Sequence, residues 1–181
     1  WRSGAEMKIV LSQTIFNNVA TLPSHAINDT VVPGMRQPEF PGEYMEGDKI
    51  VADGDSNAWP PSGRNRALRA MRKAFPFHIA GDQHLASFIQ YGVDDWGDAP
   101  FALCVPSVAN VWPRRWFPPE PGRNRDPDAP RYTGDYHDGF GNKMTVYAVS
   151  NPGPSGHEPS ALYDRAPGFG IVRINKAERT F

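Results

Sequence analysis

A β-rich α+β sandwich with one helix is the architecture this chain predicts, and three observations predict it. Helical periodicity occurs in one segment, Arg64 to Phe75, where Leu68, Met71 and Phe75 share a face. Short runs rich in β-branched and aromatic residues alternate elsewhere with clusters of Pro, Gly and Asp. With 17 Gly and 19 Pro among 181 residues the chain is loop-rich, yet 39% hydrophobic content is enough for a packed core. One helix between strands, followed by several strands, fits packed layers better than a regular doubly wound sheet. Residues 1–181 read as a single domain.

Met7 to Phe16 is apolar and β-branched enough for a buried strand, and residues 21 to 48 read as a long surface connection. Lys49-Ile50-Val51-Ala52 is a short apolar run that exits into the polar turn Asp53-Gly54-Asp55-Ser56-Asn57. The helix follows with Ser62 as its N-cap. Arg66, Arg69, Arg72 and Lys73 fill much of the remaining surface and read as the solvated face. Phe77 to Ala80 is a strand running into Gly81-Asp82-Gln83-His84. Further strands are expected at Leu85–Tyr91, Phe101–Val105, Lys143–Val149 and Gly168–Asn175, with Gly139 to Asn142 closing a hairpin into the Lys143 strand.

Charge excludes several classes of function. Nineteen Lys and Arg against twenty Asp and Glu leave a net charge of −1, unlike the basic surface a general nucleic-acid or anionic-membrane binder needs. No apolar run is long enough to span a bilayer. Cys104 is the sole cysteine, so an internal disulfide framework and a multi-cysteine zinc module are excluded. Flanked by Leu103 and Val105, it reads as a buried strand residue rather than a nucleophile. The first residue is Trp1 rather than Met, and the chain is expected to be processed or part of something longer.

Asp82 and His84 are the centre of the chemistry. A carboxylate and an imidazole two positions apart, behind a glycine at a strand exit, are able to serve one ion or two adjacent ions. Asp53, Asp55 and Asn57 stand at a second exit, before the helix. A strand–loop–helix–strand unit brings two such exits to one sheet edge, where oxygen donors and an Asp/His pair make a mixed metal site. An EF-hand reading of Asp53-X-Asp55-X-Asn57 fails, since Ala58 stands where the loop needs Gly and Arg64 where it needs Glu. The Gly92 to Asp98 segment, with Asp94, Asp95 and Asp98, reads as an acidic turn, and His78 as a core histidine. Arg114 and Arg115, between Trp112 and Trp116, either clamp an anionic ester or pack along indole faces.

Asp55-Ser-Asn-Ala-Trp59-Pro-Pro61-Ser-Gly-Arg64, then a helix, then an apolar strand ending in Gly81-Asp82-Gln83-His84, resembles the C-terminal half of the PhoD-like alkaline phosphatases of the calcineurin-like metallophosphoesterases. Residues 49 to 90 carry the likeness. The segment from Ala99 to Pro152, with Cys104-Val-Pro-Ser107, Trp112-Pro-Arg114-Arg115-Trp116 and Gly141-Asn142, is similar to a bacterial subgroup. The resemblance implies the C-terminal part of a four-layer αββα sandwich that hydrolyses phosphate mono- or diesters with bound metal ions, Ca2+ and Fe3+ in the best-known members. It implies Asp55 and Asp82 as metal ligands and His84 as a ligand or near-metal acid. Arg114 and Arg115 are the substrate-binding candidates, and Arg64 matches the family's helix-leading arginine. A small phosphate ester is the expected partner, and a periplasmic, envelope or secreted location is expected from the family alone. The rival reading is a non-catalytic β-rich binding module or a degenerate relative, because the family's earlier metal-binding loops have no counterpart before residue 49.

Overall fold

The computed structural model describes residues 4–23, 48–54, 56–108, 114–151 and 167–180. Its frame is a six-stranded mixed sheet built from β1 (Ile9–Thr14), β4 (Phe77–Gly81), β6 (Phe101–Cys104), β5 (Ser87–Tyr91), β8 (Lys143–Val149) and β7 (Gly134–His137), in that spatial order. A separate antiparallel ribbon pairs β2 (Thr21–Pro23) with β3 (Asp48–Ile50). The sole helix among the described residues is α1 (Pro61–Met71), so the protein is β-rich. No helix among them is long and apolar enough to cross a membrane.

Strands β1, β4 and β6 are mutually parallel, whereas β5, β8 and β7 add antiparallel neighbours. The segment joining β1 to β4 contains α1, as a parallel connection requires. Leu68 and Met71 of α1 join Ala80, Ala102, Ile89, Tyr91, Met144 and Val146 in one core cluster, which fixes the sheet face that the helix covers. The opposite face carries an aromatic ladder: Phe88 stacks on Phe101 at 5.7 Å and 11°, with Phe77 and Tyr147 at its flanks. Leu11 of the edge strand β1 is 74% exposed on that side.

Several expectations are met closely and others are corrected. The Lys143–Val149 strand and its hairpin form as read, and the acidic segment is a turn in which the Asp98 carboxylate accepts the Val93, Asp94 and Asp95 amides. The helix ends at Met71, short of Phe75, which adopts φ 43° and is exposed. Ser62 does not cap it. Pro60 is the N-cap and contributes no side-chain bond, while Pro61 opens the first turn, where its missing N–H is harmless. Gly168 to Asn175 forms no strand; one isolated bridge joins Asn175 to Thr180. The segment 21–48 begins and ends in β2 and β3, whose three-residue lengths leave almost no periodic signal. Of the cationic face, Arg66 and Lys73 are exposed, but Arg69 and Arg72 both pair with Asp94 and so tie α1 to the acidic turn.

Arg64, at the start of α1, turns inward. Its Nε donates to Phe16 O (2.7 Å), Nη1 to Asn65 Oδ1 (2.8 Å) and Gly92 O (2.7 Å), and Nη2 to Asn17 Oδ1 (2.6 Å) and Lys143 O (3.1 Å). All five guanidinium N–H groups are thereby used. Burial nevertheless pulls its pKa down to about 10, with Asp138 acting in the opposite direction. Asn17 Nδ2 passes the charge on to Asp138 Oδ2 at 2.8 Å. Asp138 comes within reach because the β7–β8 turn lies on the Val51 backbone, where a Cβ at Gly139 would collide with Val51 O.

His78 lies wholly buried beneath the helix. Ser12 Oγ gives its one proton to Thr14 O (2.6 Å), so it accepts from His78 Nε2 (2.8 Å), and the Tyr91 hydroxyl donates to Nδ1 (2.7 Å). The Tyr91 oxygen in turn accepts the Phe16 amide at 3.1 Å. This arrangement suits a neutral imidazole, and desolvation holds the His78 pKa down at about 4.

Two outcomes are expected. Arg64→Met leaves five acceptors without their donor and should lower unfolding free energy by about 3–5 kcal/mol in urea titrations, against about 0.5 kcal/mol or less for Arg66→Met. Because His78 charges near pH 4 in the fold but near 6.5 when unfolded, its contribution is complete above pH 6.5 and falls away as pH drops toward 4. The loss amounts to at most about 3 kcal/mol, and His78→Phe should flatten that part of the stability–pH curve. Equal slopes for the two proteins would contradict the assignment.

Candidate functional site

Because β1, β4 and β6 run parallel, their carboxyl ends share one edge of the sheet, the location where open sheets gather ligand-binding loops. Thr14 closes β1 there, Gly81 closes β4 and Cys104 closes β6. Beyond Gly81 the backbone turns sharply, with Asp82 at φ 66° and His84 at φ 53°, both left-handed and strained for side-chain-bearing residues. The Gln83 amide bonds back to Gly81 O at 2.7 Å. Gln83 is thus driven into the interior, 1% exposed, while Asp82 and His84 flank it in half-buried positions. The Asp82 carboxylate accepts Gln13 Nε2 at 3.2 Å.

The Gln83 carboxamide is pinned at both ends. Its Nε2 donates to Thr14 Oγ1 (3.0 Å), and its Oε1 accepts from Arg114 Nη1 (2.7 Å). The same Nη1 reaches Asn18 Oδ1 at 3.1 Å, and Nη2 holds the Asp53 carboxylate. Arg114 therefore joins the exits of β1, β3 and β4 through one buried cation. The loop after β3 is anchored a second time by Asn57, whose amide and Nδ2 bond to Ile15 O (3.1 Å) and Thr14 O (3.0 Å). Asp55, between these two anchors in sequence, lies outside the described residues, as does Trp112.

Arg115 points elsewhere. It forms a two-point ion pair with the buried Asp48 of β3, Nε to Oδ2 at 2.9 Å and Nη2 to Oδ1 at 2.7 Å, and Thr21 Oγ1 adds a third bond to the same carboxylate. That arginine welds the β2–β3 ribbon to the chain beside Trp116, and its carboxylate-facing fork is fully occupied. Of the residues singled out from sequence, Asp82, His84 and Arg114 come together at one edge and Arg115 stands apart from them. A carboxylate and an imidazole are donors of the right kind for calcium or for a first-row transition ion. The described residues nonetheless hold no group of three or more His, Cys, Asp or Glu side chains arranged to close a metal cage.

Comparison with family models, with curated proteins and with solved structures finds no match for this chain.

Three of its members, Thr14, Asn18 and Gln83, were not singled out by the sequence reading. The Asn17-Asn18 pair directly after an apolar strand was the available signal, since polar side chains at a strand exit next to the core need partners. Cys104 Sγ donates to Gly81 O at 3.3 Å, and burial pushes the thiol up to about 12. At pH 8 the folded protein should resist alkylation of Cys104 by iodoacetamide, reacting only after denaturation; rapid modification of the native state, followed by mass spectrometry, would contradict this environment.

Proposed function

We propose that this edge carries out metal-dependent hydrolysis of phosphate esters, with Asp82 and His84 as metal-holding side chains and Asp55 completing the donor set from the neighbouring loop. The observation that supports the reading is the Arg114 bridge, which draws the acidic loop after β3 onto the Asp82–His84 tip. Two exits that sequence spacing leaves far apart are thereby on one edge, as a shared ion cluster requires. A bound metal ion would polarise the phosphoryl oxygen and lower the pKa of a coordinated water. The chain itself would contribute the half-exposed Asp82 carboxylate, held by Gln13, and the His84 imidazole, which either binds the ion or gives a proton to the leaving oxygen. Gln83 bonds inward to Thr14, which leaves Asp82 and His84 in half-buried positions on either side of it.

A four-layer αββα sandwich is the finer architecture that this function implies. In its favour, one sheet face is covered by α1, while the other carries the Phe77, Phe88, Phe101 and Tyr147 ladder, partly lined by Ile171 and Val172, an apolar surface of the kind a second sheet covers at about 10 Å.

The full-length protein carrying this chain should hydrolyse 4-nitrophenyl phosphate or its bis-ester and lose that activity to a chelator. Asp82→Ala and His84→Ala should each reduce kcat/KM by at least ~100-fold while the urea midpoint stays close to that of the parent. Turnover that survives chelation and both substitutions would remove the proposal.

A further inference from the structure

We infer that Arg114 is a positioning residue, which sets the orientation of the Asp82–Gln83–His84 tip and the Asp53 loop without itself meeting substrate. The inference rests on the hydrolase reading for what the tip does, but its geometry stands apart from any reaction. Arg114 is 4% exposed. Recognition of a phosphoryl group by arginine uses two adjacent N–H groups. Both hydrogens of Nη1 are committed to Asn18 and Gln83, so the end-on pair is closed to a ligand. The side-on pair needs Nε, which is buried and has no hydrogen-bond partner among the described residues. Nη2 faces the Asp53 carboxylate, so the cation is already ion-paired within the protein.

What those contacts hold is specific. Gln83 alternates with Asp82 and His84, so fixing its carboxamide between Arg114 and Thr14 decides on which side the other two emerge. Two left-handed departures on either side of Gln83, at φ 66° and φ 53°, persist only where surrounding contacts enforce them. Without the guanidinium, the Gln83 oxygen and the Asp53 carboxylate lose their common donor, and the direct link between the loop and the tip is broken. Arg115 supplies the control: it is equally buried and ion-paired, one residue away, but serves the β2–β3 ribbon.

The test compares Arg114→Gln, Arg114→Lys and Arg115→Gln in the full-length protein. Amide hydrogen exchange at Gln83 is the first readout and needs no activity. Arg114→Gln should speed exchange there by tenfold or more, with Arg115→Gln leaving it within twofold of the parent when both are assayed well below their unfolding temperatures. Equal effects of the two variants, or no effect of either, overturn the inference. The second readout is kinetic, with 4-nitrophenyl phosphate at saturating Ca2+ and with inorganic phosphate as inhibitor. A positioning role predicts that Arg114→Gln lowers kcat by tenfold or more and weakens activation by Ca2+, while KM and inhibition by phosphate stay within twofold and Arg114→Lys recovers part of kcat. A parallel rise in KM and in the phosphate inhibition constant with kcat intact would instead make Arg114 a substrate ligand and sink the inference. A parent protein that neither hydrolyses the ester nor responds to metal, yet shows the exchange difference, removes the hydrolase reading and leaves the positioning role standing.

Discussion

A single buried cation at the head of α1 ties the helix to the sheet. Arg64 draws together Phe16 and Asn17 beyond β1, Gly92 beyond β5 and Lys143 at the start of β8, segments otherwise unrelated in sequence. A charge in that position carries a large desolvation penalty, and saturation of all five donors offsets it. A lysine has three donors in no fixed plane, so it has no equivalent geometry here. The helix sits over the sheet where it does because its first turn is fastened from inside, and the apolar contacts of Leu68 and Met71 then follow.

The same chain of contacts continues toward the candidate site. Asn17 connects Arg64 with Asp138, and Asn18 beside it connects Arg114 with the Val51 carbonyl, 2.6 Å from its Nδ2. Two adjacent asparagines therefore couple a structural arginine to a site arginine. Each amide uses its carbonyl for one cation and its nitrogen for an acceptor on the far side, a role no single charged residue fills. This explains why so polar a pair is wholly buried directly after a strand.

Much of the sheet was legible because its strands advertise themselves through β-branched and aromatic runs ending in Gly, Pro or Asp, as at Lys143–Val149. The helix was legible from Leu68 and Met71, but its ends were not. Ser62 has the right chemistry for a cap and yet follows Pro61, which already occupies the first helical position, and Phe75 continues the apolar spacing after the backbone has left the helix. The β2–β3 ribbon was hidden because its strands are three residues long and the buried Arg115–Asp48 pair that fastens it joins partners 67 residues apart. At the candidate site, Asp82, His84 and Arg114 stood out in the sequence as ionisable residues, whereas the neutral amides beside them did not. Asn and Gln carry no signal until a partner is placed opposite them.

The division between the two neighbouring arginines follows from the partners that each one reaches. Both guanidinium groups are buried on separate protein partners, so Arg114 and Arg115 do not serve one anion side by side. Arg115 finds Asp48 on one side, and Arg114 finds Asp53, Asn18 and Gln83 on the other. Consecutive arginines in a Trp-rich segment suggest a cationic clamp only if both point into solvent, and here neither does. Their shared function is to hold the two ends of one stretch of chain, Asp48 to Asp53, against the body of the protein. For the proposed site, those contacts join the exits of β1, β3 and β4 from inside, and a site assembled across three strand exits needs such fixing more than it needs another positive charge facing the solvent.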